Sequence, residues 1–382
     1  MEDPCIYNYS CQSMMRNFRV FILVFASVLF MGKLRGQDSI RKGTWITVEG
    51  HYGFILPLYT SSMNILIQGH VPAFEVDYMN KPACQNNWLG AYHCPETGIA
   101  FFSAYLNNPA QLGNEFGLYP FVNFHLNKSY KERLYFRVGI GLAYMPVIFT
   151  RLDNHKNDVI GSHINAMFNF RLNYHFYLSD KLRLETGLGL THCSNGAFQT
   201  PNLGINLITT NTGLSYNLAS ATHCPVKPLV DTSNIHTMQN VFIVSAGLSE
   251  IEPPGGQKYP DVSLSYIRYR RMNKKGKLGL GVDVFYNQAN IARIKNDSVF
   301  LKNSLDITQF GVKASYELTL GKLSLPVEMG GYLYTNKYIG NGSIYNRIGM
   351  RYYAGKHFIA NLTLLTHFVK ADLIEWGVGY KL

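Results

Sequence analysis

The sequence predicts an all-β fold, a transmembrane antiparallel β-barrel of 12–16 strands with 14 as the central expectation. Three observations predict it. Apolar and polar residues alternate in runs of about ten residues or more from residue 45 onward, which is long for soluble strands and suits tilted membrane strands. An export-type segment precedes them. The chain closes on an alternating, aromatic-bearing run. Composition agrees: of 382 residues, 47% are hydrophobic, 14% aromatic and 15% charged, with 26 Tyr, 23 Phe and 34 Gly. Soluble domains usually carry about a quarter charged residues.

At the N-terminus, Arg16 and Arg19 precede the apolar run Val20 to Met31, the length of a signal-peptide core and short for a bilayer span. Residues 1–36 are read as a signal peptide, with Met14 or Met15 as a possible true start, and residues 37–382 as one outer-membrane barrel domain. Later apolar runs are all broken by polar residues, so a membrane crossing would have to be a barrel. Only helices and closed barrels satisfy the backbone in lipid.

Strands are expected near 46–56, 63–76, 97–105, 112–126, 132–144, 162–178, 181–194, 206–219, 238–248, 258–270, 277–288, 306–319, 323–335, 342–354, 356–369 and 371–382. In 132–144 the residues Leu134, Phe136, Val138, Ile140, Leu142 and Tyr144 share one face, because successive strand side chains point to opposite sides. In 162–178 the even-numbered residues Ile164 to Leu178 are apolar, and Asn165, Asn169, Arg171, Asn173 and His175 lie opposite. Ser179-Asp180, Lys274-Lys275-Gly276 and Gly321-Lys322 signal tight turns. The segments 145–161, 195–206, 220–237 and 288–305 are read as long extracellular loops. The last run sets Ile374, Trp376, Val378, Tyr380 and Leu382 on one face, as outer-membrane strands often do.

The formal charge of +11 suits an anionic partner, lipopolysaccharide phosphates among them, although a solvated basic surface accounts for it equally. Cys84 and Cys94 flank a loop-like segment where a disulfide suits an exported chain. No cysteine pair has zinc-ligand spacing, and no metal or organic cofactor is implied. Arg133, Arg137 and Arg171 point to the polar face, where pairing with acidic residues is expected, and His163 and His175 fall on that face too. Arg268, Arg270 and Arg271 lie among tyrosines, but an exported chain is no nucleic-acid binder, and no phosphate-cradling glycine loop or dinucleotide fingerprint is present.

The chemistry-bearing stretch is Thr191-His192-Cys193-Ser194-Asn195-Gly196, followed by Pro201-Asn202-Leu203-Gly204-Ile205-Asn206. Leu182, Leu184, Leu188, Leu190, His192 and Ser194 share a strand face, so a base and a nucleophile continue an apolar stripe. Side chains at i and i+2 on a strand come close enough for an imidazole to reach a hydroxyl. Thr191 and Cys193 point the other way, into the lumen.

The pattern from His192 to Ile205 resembles the active-site signature of PagL-type lipid A 3-O-deacylases, including the longer Bacteroidetes-type members known as acyloxyacyl hydrolases. Gly53-Phe54-Ile55-Leu56-Pro57 resembles that family's first strand. The short members are eight-stranded barrels, so the resemblance leaves the chain beyond about residue 220 uncovered.

The resemblance implies an outer-membrane serine esterase acting on an ester-linked 3-hydroxyacyl chain of lipid A, with its site toward the outer leaflet. Ser194 would be the nucleophile and His192 the base, with Asn195 and Gly196 as oxyanion donors. The family places a Glu fourteen positions after the His, and here that position is Asn206. Asparagine can orient a histidine but cannot balance an imidazolium charge. Asn202 and Gly204 are read as loop-shaping. The competing readings are a non-enzymatic outer-membrane channel and a soluble secreted β protein. Acyl position and oligomeric state are not specified by the sequence.

Overall fold

A computed structural model of the protein describes residues 40–57, 61–81, 87–126, 134–219, 222–224, 237–296, 304–336, 339, 342–368 and 370–382. The signal-peptide reading, Cys84 and Arg133 lie outside these residues.

Eight antiparallel strands form the first barrel: β1 (Ile40–Ile55), β2 (Val71–Lys81), β3 (Glu96–Tyr105), β4 (Asn114–His125), β5 (Leu134–Tyr144), β6 (Ile164–Tyr177), β7 (Leu182–Ser194) and β8 (Ile205–Asn217). It closes where β1 pairs with both β2 and β8. A short β9 (Thr222–Cys224) pairs with the start of β1. The second barrel comprises β10 (Met238–Glu250), β11 (Lys258–Arg271), β12 (Gly276–Asn287), β13 (Thr308–Leu320), β14 (Leu323–Tyr334), β15 (Ile344–Ala354), β16 (Phe358–His367) and β17 (Lys370–Lys381). It closes through the β10–β17 ladder.

Two barrels of eight strands each stand in place of the single barrel of 12–16 strands expected from the sequence. Alternation marks each strand but carries no information about which edge strands meet. The β1–β8 ladder, Trp45 opposite Asn217 through Ile55 opposite Leu207, closes the first sheet at eight strands, and the chain then starts a second one. A second correction concerns residues 63–76. Residues Ser61–Leu66 form a helix, α1, and the strand begins at Val71. Met63 and Leu66, three apart, are both buried in the first barrel's core, while Ile65 is exposed. That is helical spacing. A third concerns 220–237: β7 and β8 are antiparallel, so the chain leaves β8 at the end of the 178–181 turn, opposite the 195–204 loop.

The barrels are inside out relative to a soluble fold. Outward positions hold large exposed apolar side chains, such as Leu188, Leu214 and Phe54 on the first barrel and Leu280, Trp376 and Val378 on the second. The lumens hold the charges. Arg137 pairs with Glu75 at 2.8 Å and Asp77 at 2.6 Å, Arg171 with Glu49 and Glu75, and Arg183 with Glu96 at 2.7 Å and Glu185 at 2.8 Å. In the second barrel Arg351 bridges Glu317 (3.1 Å) and Glu328 (2.7 Å), and Arg347 reaches Glu375 (2.6 Å). An eight-stranded barrel has an interior that side chains just fill. Here buried ion pairs, Tyr119, Met167, Tyr269 and Tyr345 fill it. The channel reading required a wider, open barrel.

Residues 61–70 and the loops 106–113, 145–163 and 195–204 gather at one end of the first barrel. Residues Asn87–Ala91 form a helix, α2, at the other end, and Cys94 just beyond it is disulfide-bonded. In the second barrel, Ala289–Asn296 form helix α3 in the β12–β13 connection.

Candidate active site

Strand β7 delivers two outward-pointing side chains at its end. Arg183, Glu185, Thr191 and Cys193 point into the lumen: Thr191 accepts a hydrogen bond from Asn169 Nδ2 at 2.9 Å, and the Cys193 thiol donates to Glu115 at 2.6 Å. His192 and Ser194 therefore point outward. His192 sits opposite Phe168 on β6 and opposite Asn206 on β8, and Ser194 sits opposite Ala166. The Phe168 ring lies 6.2 Å from the imidazole and limits where it can swing.

His192, Ser194 and Asn206 form one hydrogen-bonded chain. His192 Nδ1 lies 2.8 Å from Asn206 Oδ1, and His192 Nε2 lies 2.9 Å from Ser194 Oγ. With Nδ1–H donating to the amide oxygen, Nε2 is the acceptor for the Ser194 hydroxyl, which is the tautomer that nucleophile activation needs. Ser194 and Asn206 are buried and His192 is half-buried. Asn206 lies in register with His192 because it is one of the first residues of β8, so the strand pairing itself sets the Nδ1 contact.

The loop from 195 to 204 is built tightly against this chain. Gly204 has φ of 77°, and a Cβ there would lie 3.0 Å from both His192 Cε1 and Cys193 O. Both conditions call for glycine. Its N–H donates to Val159 O at 3.0 Å.

Asn195 is not where the sequence reading placed it. Its backbone N–H donates to Asn202 Oδ1 at 2.9 Å, and its side-chain amide donates to Ser162 Oγ at 2.9 Å and Gln199 O at 2.8 Å. All its donors are committed to the loop, which leaves none for an oxyanion. The Gly196 N–H, by contrast, donates to no group among the described residues. Gly196 has φ of 61°, and a Cβ there would lie 2.4 Å from Ile374 of the second barrel.

Residues beyond the sequence motif complete the site. Ser162 anchors Asn195 from the β5–β6 loop. Glu250 and Lys258, from the second barrel, bond the loop after Ser194. No local signal in the sequence marks them, since the contact crosses between barrels. His163 lies at the rim beside Tyr144 and donates its Nδ1–H to Met145 O at 2.8 Å, not in the lumen with His175. Among the described residues, one group of possible metal ligands, Glu49, His51 and Glu75, lies in the first lumen with its ligand atoms within 4.8 Å of one another. The Arg171 guanidinium already bonds both carboxylates there.

Two family profiles match the chain. "Lipid A 3-O-deacylase (PagL)" matches residues 73–215, which include His192, Ser194 and Asn206. "Acyloxyacyl hydrolase, C-terminal domain" matches residues 237–382, the second barrel. The chain belongs to the PagL family. The two matches divide where the two barrels do. PagL membership indicates hydrolysis of an ester bond of lipid A.

A search of curated proteins returns no match. Solved structures similar to the chain include a mutant of the Rh. blastica porin (9% identity, 90% of this chain and 100% of that one, TM-score 0.17). They also include Omp33 of Acinetobacter baumannii (8% identity, 91% and 99%, TM-score 0.16) and an outer membrane channel of Pseudomonas putida F1 (8% identity, 91% and 97%, TM-score 0.20). At these TM-scores the similarity carries no argument about function.

Proposed function

We propose that this PagL-family protein is an outer-membrane serine esterase that removes an ester-linked 3-hydroxyacyl chain from lipid A. The observation that carries this is the chain Asn206–His192–Ser194, hydrogen-bonded at both contacts and facing outward on the apolar wall of the first barrel. A lipid already in the bilayer reaches that wall without entering the lumen.

The mechanism follows from the atoms. Ser194 Oγ–H donates to His192 Nε2. As Oγ attacks the ester carbonyl carbon, the proton passes to Nε2. The Gly196 N–H is the donor left open for the developing oxyanion. The intermediate collapses when His192 returns the proton to the departing sugar hydroxyl. Water, deprotonated by His192, then cleaves the acyl-Ser194 ester and releases the 3-hydroxy fatty acid. Asn206 Oδ1 holds the imidazole in its tautomer throughout.

Orientation follows from loop length. Bacterial barrels keep short turns on the periplasmic side and long loops outside. The 178–181 turn is short, and the 145–163 and 195–204 loops are long and lie at the end where Ser194 sits. The contrast supports a site toward the outer leaflet. Arg151, His155 and Lys156 stand exposed on the 145–163 loop, where lipid A phosphates would lie.

The test is mass spectrometry of lipid A from cells making the wild type, Ser194→Ala or His192→Ala, with membrane insertion verified for each. The wild type alone should lose one hydroxyacyl chain. Unchanged lipid A in all three samples contradicts the proposal.

A further inference from the structure

The loop that follows Ser194 is gripped from the other barrel. Glu250, the last residue of β10, donates its backbone N–H to Ala197 O at 2.9 Å. Its carboxylate accepts from Thr200 Oγ1 at 3.0 Å. Lys258, paired across the β10–β11 ladder from Glu250, donates to Phe198 O and bonds Glu250 Oε2 at 2.5 Å. Its ammonium also lies 4.6 Å from the centre of the Phe198 ring. The Gly255 N–H donates to Glu250 Oε1 at 2.6 Å, so the carboxylate is itself held from behind. The Glu250 side chain is almost fully buried.

This grip falls where the backbone needs it. Gly196 and Ala197 have φ of 61° and 62°. Alanine avoids that region, because its Cβ crowds the backbone. The Ala197 carbonyl is the one that Glu250 N–H holds. The Asn195 carbonyl, which shares a peptide plane with the Gly196 N–H, accepts from the N–H of Phe198 at 3.2 Å, and Ile374 and Leu364 pack against Gly196 itself.

We propose that the second barrel is a positioning device for the reaction. Through Glu250 and Lys258 it holds residues 197–200 so that the Gly196 N–H points at the carbonyl oxygen above Ser194. Neither residue touches the substrate. The inference rests on the esterase reading, and it explains why a hydrogen-bonded chain of Asn206, His192 and Ser194 on the first barrel is joined to a second barrel.

The experiment uses the full-length protein in detergent micelles, with lipid A in mixed micelles as substrate. Wild type, Glu250→Ala, Lys258→Met and Lys258→Arg are compared for kcat, for KM, for heat-modifiable migration, and for the rate at which an alkyl fluorophosphonate labels Ser194. A misplaced catalytic group costs up to about 100-fold. Glu250→Ala and Lys258→Met are therefore expected to lower kcat by about 10- to 100-fold. KM should stay within about twofold, because substrate binding is untouched. Phosphonate labelling should slow in parallel, migration should be unchanged, and Lys258→Arg should restore much of the rate, since a guanidinium also donates to Phe198 O and Glu250. Full kcat and labelling in both variants overturn the inference and leave the esterase reading standing. So does loss of kcat only together with loss of heat-modifiable migration, because that is a folding defect. A wild type that neither hydrolyses lipid A nor is labelled overturns the esterase reading and the positioning role with it.

Discussion

Asn206 stands where the resemblance implies a Glu, and its geometry says what that difference costs the proposed reaction. Its oxygen lies 2.8 Å from His192 Nδ1, so orientation and tautomer are kept. What is missing is a charge to balance the imidazolium in the transition state. Asn206→Glu is expected to raise kcat by roughly tenfold, about 1.4 kcal/mol of barrier. Asn206→Leu removes the orienting oxygen and should lower kcat by about 100-fold. A Leu variant with unchanged kcat would show that Asn206 orients nothing.

The pH profile gives the sign of the same effect. His192 must be neutral to act as base, so activity should fall as pH drops through the range in which its ring takes up a proton. A carboxylate at position 206 favours the protonated ring and raises its pKa, so the acid limb of Asn206→Glu should move to higher pH. At this scale the sequence was partly legible. The period of two put His192 and Ser194 on one face, and the family spacing pointed at Asn206. The fate of Asn195 was not legible, because its partners include Ser162, thirty-three residues away on another loop.

At the scale of elements, alternation located most strands to within a few residues, because every strand keeps one face to a polar lumen. The helix α1 was missed because Met63 and Leu66 sit in a short apolar stretch where helical and strand periods look alike. The ion pairs inside the lumen were foreseen for Arg137 and Arg171 as a class, but their partners were not, since β2 supplies Glu75 and Asp77 to arginines on β5 and β6. Arg171 is fully buried between Glu49 and Glu75. Arg171→Leu removes the guanidinium from Glu49 and leaves Glu75 with Arg137 alone, and should cost about 3–5 kcal/mol. A urea titration of the protein refolded into lipid, read by heat-modifiable migration, measures it. A midpoint within error of wild type would mean that Glu49 and Glu75 are satisfied without the guanidinium.

For the whole molecule, the count of strands per barrel was the feature the sequence could not supply. It depends on β8 meeting β1 and on β17 meeting β10, pairings that no local pattern encodes. Two filled eight-stranded lumens, with their apolar residues turned outward, suit the proposed reaction at the outer wall. The proposed orientation makes a prediction of its own. Leu152, 89% exposed on the 145–163 loop, should react as Leu152→Cys with a membrane-impermeant maleimide on intact cells. Lys356→Cys, in the turn between β15 and β16, should react only after the outer membrane is opened. The reverse pattern would turn the site toward the periplasm.

The most direct test of the central claim is chemical. Purified wild type and Ser194→Ala are mixed with lipid A in micelles, free 3-hydroxy fatty acid is quantified, and the quenched protein is digested to find an acyl adduct. Release by the wild type alone, with a hydroxyacyl mass on the peptide containing Ser194, is the predicted result. Equal release by Ser194→Ala, or no release by a properly folded wild type, would contradict it.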